Sequence, residues 1–243
     1  MNNSSDCKEQ HNREQRDYFE STTKQTLIPR DTAYIRRQIE EVIGVAKVTA
    51  EERVLEVGCG MGRHIFGLAD KGIRVEGLEL SPVLIDLLHQ HGGGRFNIPV
   101  HCCDVVNFPP ELKGKFDAII GFFVLHHLHD LCACFSSMAK LLKPGGRVAF
   151  VEPNPYNPLY YVQILFTPGM TWQGDRGIVN MRRSIVFRAL QTAGLHGHKL
   201  RTFGFLPPLL ANLNSGRRVE ASLEKLPFLQ IARAFQIFSA EKR

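Results

Sequence analysis

No stretch of about 20 consecutive apolar residues occurs in this 243-residue chain, so no part of it is expected to span a bilayer. The longest apolar runs, Phe116 to Leu128 and Pro158 to Phe166, are interrupted by His, Asp, Gly or Gln. Met1 to Glu20 is polar and mixed in charge, with no apolar core of the kind a secretory signal needs. Cysteine is sparse and spaced for neither metal nor redox work. Cys7, Cys59, Cys102, Cys103, Cys132 and Cys134 include no C-x-x-C pair, which argues against a zinc ribbon or a thioredoxin site. Cys132 and Cys134, two apart, fall on different faces of a helix. Reduced thiols in a cytoplasmic protein are the expectation. Internal repeats and low-complexity tracts are also missing.

Acidic residues are scarce in one region. Residues 181–243 hold 11 Lys/Arg against 3 Asp/Glu, whereas the remainder holds 19 against 21. A basic C-terminal third would favour an anionic substrate or a nucleic acid, unless it is simply a solvated surface.

The rest of the pattern alternates strand and helix. Residues 1–15 read as disordered for want of large apolar side chains. A helix is expected from Asp31/Thr32, with Ile35, Ile39, Val42 and Ile43 on one stripe. Strands are expected at Arg53–Val57, Arg74–Leu78, Pro99–Cys103, Phe116–Phe122 and Arg147–Val151. Helices are expected at Arg63–Lys71, from Ser81-Pro82 to about Gly92, and at Asp130–Leu142. Lys143 to Gly146 reads as a turn. This alternation predicts an α/β fold, a largely parallel sheet with helices on both faces. Glu152 to Asn180 breaks the pattern with four prolines and several aromatics, and reads as an insertion over the site. A helix at Arg182–Ala193 and strands at His198–Phe205 and Ala234–Ala240 follow, with Leu206–Leu229 partly helical. The domain division is therefore a tail and cap at 1–30 and one domain at 31–243, with lid insertions at about 153–180 and 206–229.

Val54 to Gly62 carries the most chemistry. Its glycines, Gly58, Gly60 and Gly62, follow a strand and precede a helix, the context that gives a glycine loop meaning. The spacing is G-x-G-x-G. Position 63 is Arg, so the dinucleotide fingerprint G-x-G-x-x-G fails. Glu56, two residues before Gly58, would repel a pyrophosphate but suits a ligand bearing ammonium and sulfonium groups.

Glu56-Val57-Gly58-Cys59-Gly60-Met61-Gly62 resembles motif I of class I S-adenosylmethionine-dependent methyltransferases. Four further segments fit the same family in order: Gly77 to Ser81, Cys103-Asp104, Phe116 to Ile120, and Leu142 to Gly146. The match covers about Arg53 to Glu152. The resemblance implies a Rossmann-like seven-stranded sheet whose last strand is antiparallel. It implies S-adenosyl-L-methionine as cofactor and S-adenosyl-L-homocysteine as product. Glu79 would hold the ribose hydroxyls and Asp104 the adenine amino group, with Glu56, Gly58, Cys59, Gly60, Gly62, Leu80, Val105 and Phe122 completing the cofactor site.

Val124-Leu125-His126-His127-Leu128-His129-Asp130 follows the fourth strand, where open α/β sheets bind ligands. His126 and His127 are the catalytic candidates, as base or substrate contact. A metal held by His126, His129 and Asp130 is the minor reading, and no metal is expected. Amino-directed nucleic-acid enzymes of the family carry Asn/Asp-Pro-Pro-aromatic here, and cytosine-C5 enzymes a Pro-Cys; Gly121-Phe122-Phe123-Val124 is neither. Tyr18, Glu152, Asn154, Tyr160 and Trp172 are the candidate substrate contacts, with Phe19, Tyr156, Tyr161 and Phe166 nearby in sequence. An aromatic pocket suits a small apolar or aromatic acceptor, methylated on O, N or C. The rivals are an RNA or protein methyltransferase using the basic third, an NAD-linked oxidoreductase, and a cofactor-binding regulator. A nucleic-acid partner is disfavoured, and a homo-oligomer is compatible with the sequence.

Overall fold

Residues 3–21, 27–166 and 171–243 are described by the structure, a computed structural model. Seven strands form one sheet in the order β3-β2-β1-β4-β5-β7-β6. Their ranges are β1 Arg53–Val57, β2 Arg74–Glu79, β3 Val100–Cys102, β4 Phe116–Phe122, β5 Leu142–Pro153, β6 Leu195–Phe203 and β7 Phe235–Lys242. The first five pair in parallel; β7 runs antiparallel between β5 and β6. The strand order reverses between β1 and β4, whose connections lead off to opposite sides of the sheet and leave a crevice above their C-terminal ends.

Two apolar layers account for the sheet's burial. Side chains alternate along β1 and β4: Leu55, Val57 and Ile119 join Phe135, Met138 and Leu190 on one face. Val54, Ala118 and Ile120 join Ile39, Val42 and Leu68 on the other. A fully buried Leu, Ile or Phe contributes roughly 1.5–3 kcal/mol, so both faces are strongly specified. The first layer is covered by α5 (Leu131–Leu141) and α8 (Arg183–Thr192), the second by α2 (Ala33–Ala46), α3 (Ile65–Asp70) and α4 (Pro82–Gly92).

Local chemistry sets the helix starts. Thr32 Oγ1 accepts from Ile35 N, Ser81 Oγ from Leu84 N, and Asp130 Oδ1 from Cys132 N and Ala133 N. Each satisfies an amide that the first turn leaves unpaired. Gly93, at φ 54°, ends α4 in the left-handed region.

Two expectations need correction. The tail expected to be disordered is helix α1, Asn3–Glu20. It has no apolar stripe because polar contacts hold it: Lys8 and Asn12 to Asp104, Tyr18 to Asp175, Glu20 to Ser81. The turn at Lys143–Gly146 lies within β5, since Leu142 already pairs with Phe116 before the register shifts and resumes at Arg147 opposite Ala118. The insertion at 153–180 is helical, with α6 (Pro158–Phe166), α7 (Trp172–Asp175) and a 3-10 turn Arg176–Asn180; its residues 167–170 lie outside the described residues.

The segment 206–229 forms α9 (Pro208–Ala211), α10 (Asn214–Leu223) and the start of a 3-10 turn, Pro227–Ala232. Arg37 of α2 grips Glu220 and, at 2.5 Å, Glu224, so α10 is fastened to the body of the domain. Among the described residues no helix is long and apolar enough to cross a membrane.

Candidate active site

A cavity of about 470 Å³ lies above the ends of β1, β2 and β4. Its cofactor side is built from short loops at strand ends. Gly58 has φ 70°, and a Cβ there would meet Val124 Cγ2 at 2.5 Å, so this position requires glycine for both backbone and packing. Gly60, at φ 52°, faces open space and leaves the loop's backbone accessible to a ligand. Glu79, at the end of β2, accepts from Gly60 N at 2.9 Å, Leu80 N at 2.8 Å and Ser81 N at 3.0 Å. Burial pushes its carboxyl up while those three amides oppose the rise. The amides also fix the carboxylate in the cavity wall, where its remaining lone pairs suit a vicinal diol.

Asp104, after β3, is fixed through Oδ1 by Val106 N at 3.0 Å. Its Oδ2 receives Asn12 Nδ2 at 2.8 Å and Lys8 Nζ at 3.0 Å from α1. Cys59, Leu80, Val105 and Phe122 also line the cavity. Phe122 is braced from behind by His64, stacked at 4.0 Å between ring centroids.

Two residues expected at the cofactor lie outside the cavity lining. Glu56 is buried behind the loop, its Oε2 without a hydrogen-bond partner; burial and Glu79 drive its carboxyl well above the usual range. Burial thus disfavours the charged form that would face a cation. Gly62 has φ 97°, and a Cβ there would strike the Phe66 ring at 2.4 Å, which makes it a packing glycine.

The opposite side centres on His126. Its Nδ1 lies 2.6 Å from Glu152 Oε2, and its Nε2 lies 3.8 Å from Asp175 Oδ1, an ion-pair separation longer than a hydrogen bond. Burial alone would lower this imidazolium, but Glu152 and Asp175 outweigh it and hold the group at about 9. His126 is therefore charged at neutral pH and is corrected from candidate base to a cation held between two carboxylates. Glu152 does not line the cavity; it accepts from Val124 N at 2.9 Å and Leu125 N at 2.7 Å and so fixes the segment carrying both histidines. His127 does line it, with its ring 4.9 Å edge-on from Phe19.

Tyr18 and Tyr160 line the same side. Tyr18 Oη donates to Asp175 Oδ2 at 2.9 Å, and burial followed by that carboxylate pushes its hydroxyl up to about 12. Burial followed by Asp175 likewise raises Tyr160 well above its ordinary value. Asn154 and Trp172 are corrected. Asn154 donates to Ile231 O and Arg233 O at 2.8 and 2.7 Å, tying β5 to the chain before β7. Trp172 is half exposed, beside Tyr161 and outside the cavity. The Phe166 side chain lies outside the described residues.

Asp175 was not anticipated from the sequence. The signal for it was the pair of glycines around it. A Cβ on Gly174 would enter the Tyr18 ring at 2.3 Å, and one on Gly177 would lie 1.8 Å from the His126 carbonyl oxygen. The expected trio His126, His129 and Asp130 is not assembled, because Asp130 caps α5. His126, His127 and Asp175 instead bring ligand atoms within 4.8 Å of one another. His126 enters that group protonated and already engaged by Glu152, so a cation there would have to displace a proton. Part of the basic C-terminal third is tied up internally: Arg201 pairs with Glu41 at 2.7 Å, and Arg233 donates to Glu224 O and Thr202 O.

The sheet order and the glycine loop define a Rossmann-like domain with a cavity at its strand ends. Residues 54–146 match the family described as methyltransferase domain. A ubiquinone biosynthesis O-methyltransferase of Xanthomonas oryzae pv. oryzae is 34% identical over 100 residues, 41% of this chain and 42% of that enzyme. The chain thus matches less than half the length of this relative. An Aromatoleum aromaticum protein of the same name is 27% identical over 164 residues, 65% of this chain and 70% of its own. A solved S-adenosylmethionine-dependent methyltransferase from Archaeoglobus fulgidus superposes with a TM-score of 0.61 at 17% identity, covering 86% of this chain and 93% of that one. Over these stretches the chain is similar to methyltransferases.

Proposed function

We propose that this protein transfers the methyl group of S-adenosylmethionine to a hydroxyl oxygen of a small, largely apolar or aromatic acceptor. The observation that carries this reading is a single cavity shared by Glu79 and Asp104 on one side and by His127, Tyr18, Phe19 and Phe123 on the other. The oxygen as acceptor atom follows the O-methyltransferases the chain resembles.

The residues present fit the cofactor. Glu79 offers fixed lone pairs to the ribose diol, Asp104 an acceptor to the adenine amino group, and Gly58 to Gly60 a backbone surface that the methionine end can approach. When bound, the cofactor supplies an electrophilic methyl carbon. The chain's own residues hold the acceptor in line with it, which converts a bimolecular encounter into a positioned one. That methyl would pass to the acceptor oxygen, the sulfur keeping the electron pair of the bond it loses. The acceptor's proton passes to the His127 imidazole, since His126 already carries one. Phe19 packs against His127 and limits water at that point.

The test is calorimetric titration with S-adenosylmethionine, S-adenosylhomocysteine and NAD, followed by a labelled-methyl screen of phenolic acceptors. Micromolar binding of the first two is expected. Glu79→Ala should weaken it by about 1–3 kcal/mol through lost hydroxyl pairing. Binding of NAD alone would overturn the assignment.

A further inference from the structure

The mechanism leaves one feature of the surface unused, its exposed apolar side chains. Scattered singly, such residues are ordinary; gathered on one face they mark a surface that meets something apolar. Among the described residues, every exposed large apolar side chain except Val83 and Ile185 falls in two segments, 156–172 and 209–231. Leu209 is 80% exposed, Phe228 72%, Ile231 66% and Leu159 59%. Polar contacts join these segments into one row. Ala211 is buried and Asn212 Oδ1 accepts from Tyr34 N at 3.0 Å, so α9 faces the domain on that side and leaves Leu209 and Leu210 outside. Helix α10 lies close on α9, since a Cβ on Gly216 would stand 1.9 Å from Leu210 O. Arg233 Nη2 donates to Glu224 O at 2.7 Å and ties the end of α10 to the chain after the 3-10 turn Pro227–Ala232. Asn154 and Asn157 donate to Ile231 O and Ala232 O, each at 2.8 Å, and tie that turn to the start of α6. The row begins and ends at the cavity, which is lined by Pro208 and Asn212 at α9 and by Tyr160 of α6.

Charge on the row has one sign. In 209–231 the exposed ionic side chains are Arg217, Arg218 and Lys225, and 156–172 holds no ionic residue. The two acids of the stretch, Glu220 and Glu224, turn inward to Arg37. A second copy of this chain brought face to face would set these cations against their like, with no exposed acid to meet them. An anionic bilayer meets both properties: apolar side chains enter the acyl boundary while the cations stay among the headgroups.

We infer that this face docks on an anionic lipid bilayer, with Leu209, Phe228 and Ile231 entering the interface and Arg217, Arg218 and Lys225 among the headgroup phosphates. Docking brings the α6 and α9 walls of the cavity to the bilayer, so an acceptor with a lipid-soluble body passes into the cavity without crossing water. The docking is independent of the methyltransferase reading; the delivery of an acceptor rests on it.

The experiment sediments the full chain with vesicles of phosphatidylcholine alone and of phosphatidylcholine mixed with phosphatidylglycerol. The wild type should bind the mixed vesicles at least tenfold more tightly than phosphatidylcholine alone, and raised salt should weaken that preference. Lys225→Gln should cost about fivefold, the effect of one cation near an anionic surface. Leu209→Gln combined with Phe228→Gln should cost at least tenfold. Neither side chain lines the cavity, so the melting temperature and the affinity for S-adenosylhomocysteine should stay as in the wild type. A wild type that remains in the supernatant with mixed vesicles would overturn the inference. So would sedimentation that the paired substitution leaves unchanged, since bare positive charge would then account for it. A dimer in solution that the paired substitution dissociates would give the face to a second copy and overturn it too. A wild type that binds mixed vesicles as expected and does not bind S-adenosylhomocysteine would support the docking and remove the methyltransferase reading.

Discussion

His126→Gln removes the cation between Glu152 and Asp175 and exposes what that arrangement contributes. Each pKa unit corresponds to about 1.36 kcal/mol. An imidazolium held at about 9 in the folded chain, against 6.5 unfolded, therefore stabilises the fold by roughly 3 kcal/mol. The sign follows from proton counts. Between pH 6.5 and 9 the folded state keeps a proton that the unfolded state has lost, so stability falls as pH rises. The contribution is full below 6.5 and gone above about 9. The assay is urea denaturation of wild type and His126→Gln from pH 6 to pH 9.5, beside an NMR titration of the imidazole. The wild type should be the more stable at pH 6, with the difference closing by roughly 3 kcal/mol at the alkaline end. Parallel stability curves, or an imidazole that titrates near its ordinary value, would refute the clamped-cation assignment. That result would return His126 to the list of candidate bases.

Other perturbations test the geometry around it. Gly58→Ala places a methyl 2.5 Å from Val124 Cγ2 at φ 70°, and should lower stability by about 1–3 kcal/mol in thermal denaturation; an unchanged melting temperature would show that the loop relaxes freely. Gly177→Ala drives a methyl into the His126 carbonyl oxygen, backbone that cannot rotate away. It should reduce turnover at least tenfold while cofactor affinity, measured by calorimetry, changes less than threefold. Equal loss of both would place the damage in the whole domain. Lys8→Ala with Asn12→Ala frees Asp104 Oδ2, so stopped-flow association of S-adenosylhomocysteine should accelerate. A slower association would mean that α1 builds the adenine site instead of covering it.

The cofactor half of the cavity was legible because its residues sit within a few positions of strand ends. Gly58 and Asp104 follow β1 and β3, Glu79 ends β2, and sheet order brings the three ends together. The acceptor half was not legible, because it is assembled from α1, the segment after β4 and the insertion after β5. No period links Tyr18 to Asp175, 157 residues apart, yet their side chains meet. Helix α1 escaped notice for a related reason. Hydrophobic periodicity reports helices that pack through an apolar stripe, and α1 is fastened through Lys8, Asn12, Tyr18 and Glu20. Glu152 and Asn154 are expected at the substrate because they are polar residues leaving a buried strand. Their side chains turn toward backbone at Val124, Leu125, Ile231 and Arg233 instead of the cavity, which alternation along β5 alone does not distinguish.

The contacts of α1 tie the two halves of the cavity together. One helix touches Asp104 through Lys8 and Asn12, Ser81 beside Glu79 through Glu20, the His127 carbonyl through His11, and Asp175 through Tyr18. The first two contacts lie where the adenosyl group is proposed to sit, and the last two where the acceptor is. The two sets of contacts alternate along the helix, with Lys8, Asn12 and Glu20 on the cofactor side and His11 and Tyr18 on the acceptor side. Tyr18 and Phe19 add an aromatic wall over His127, so a single helix supplies contacts to both halves of the cavity and a change in one half acts on the other through it.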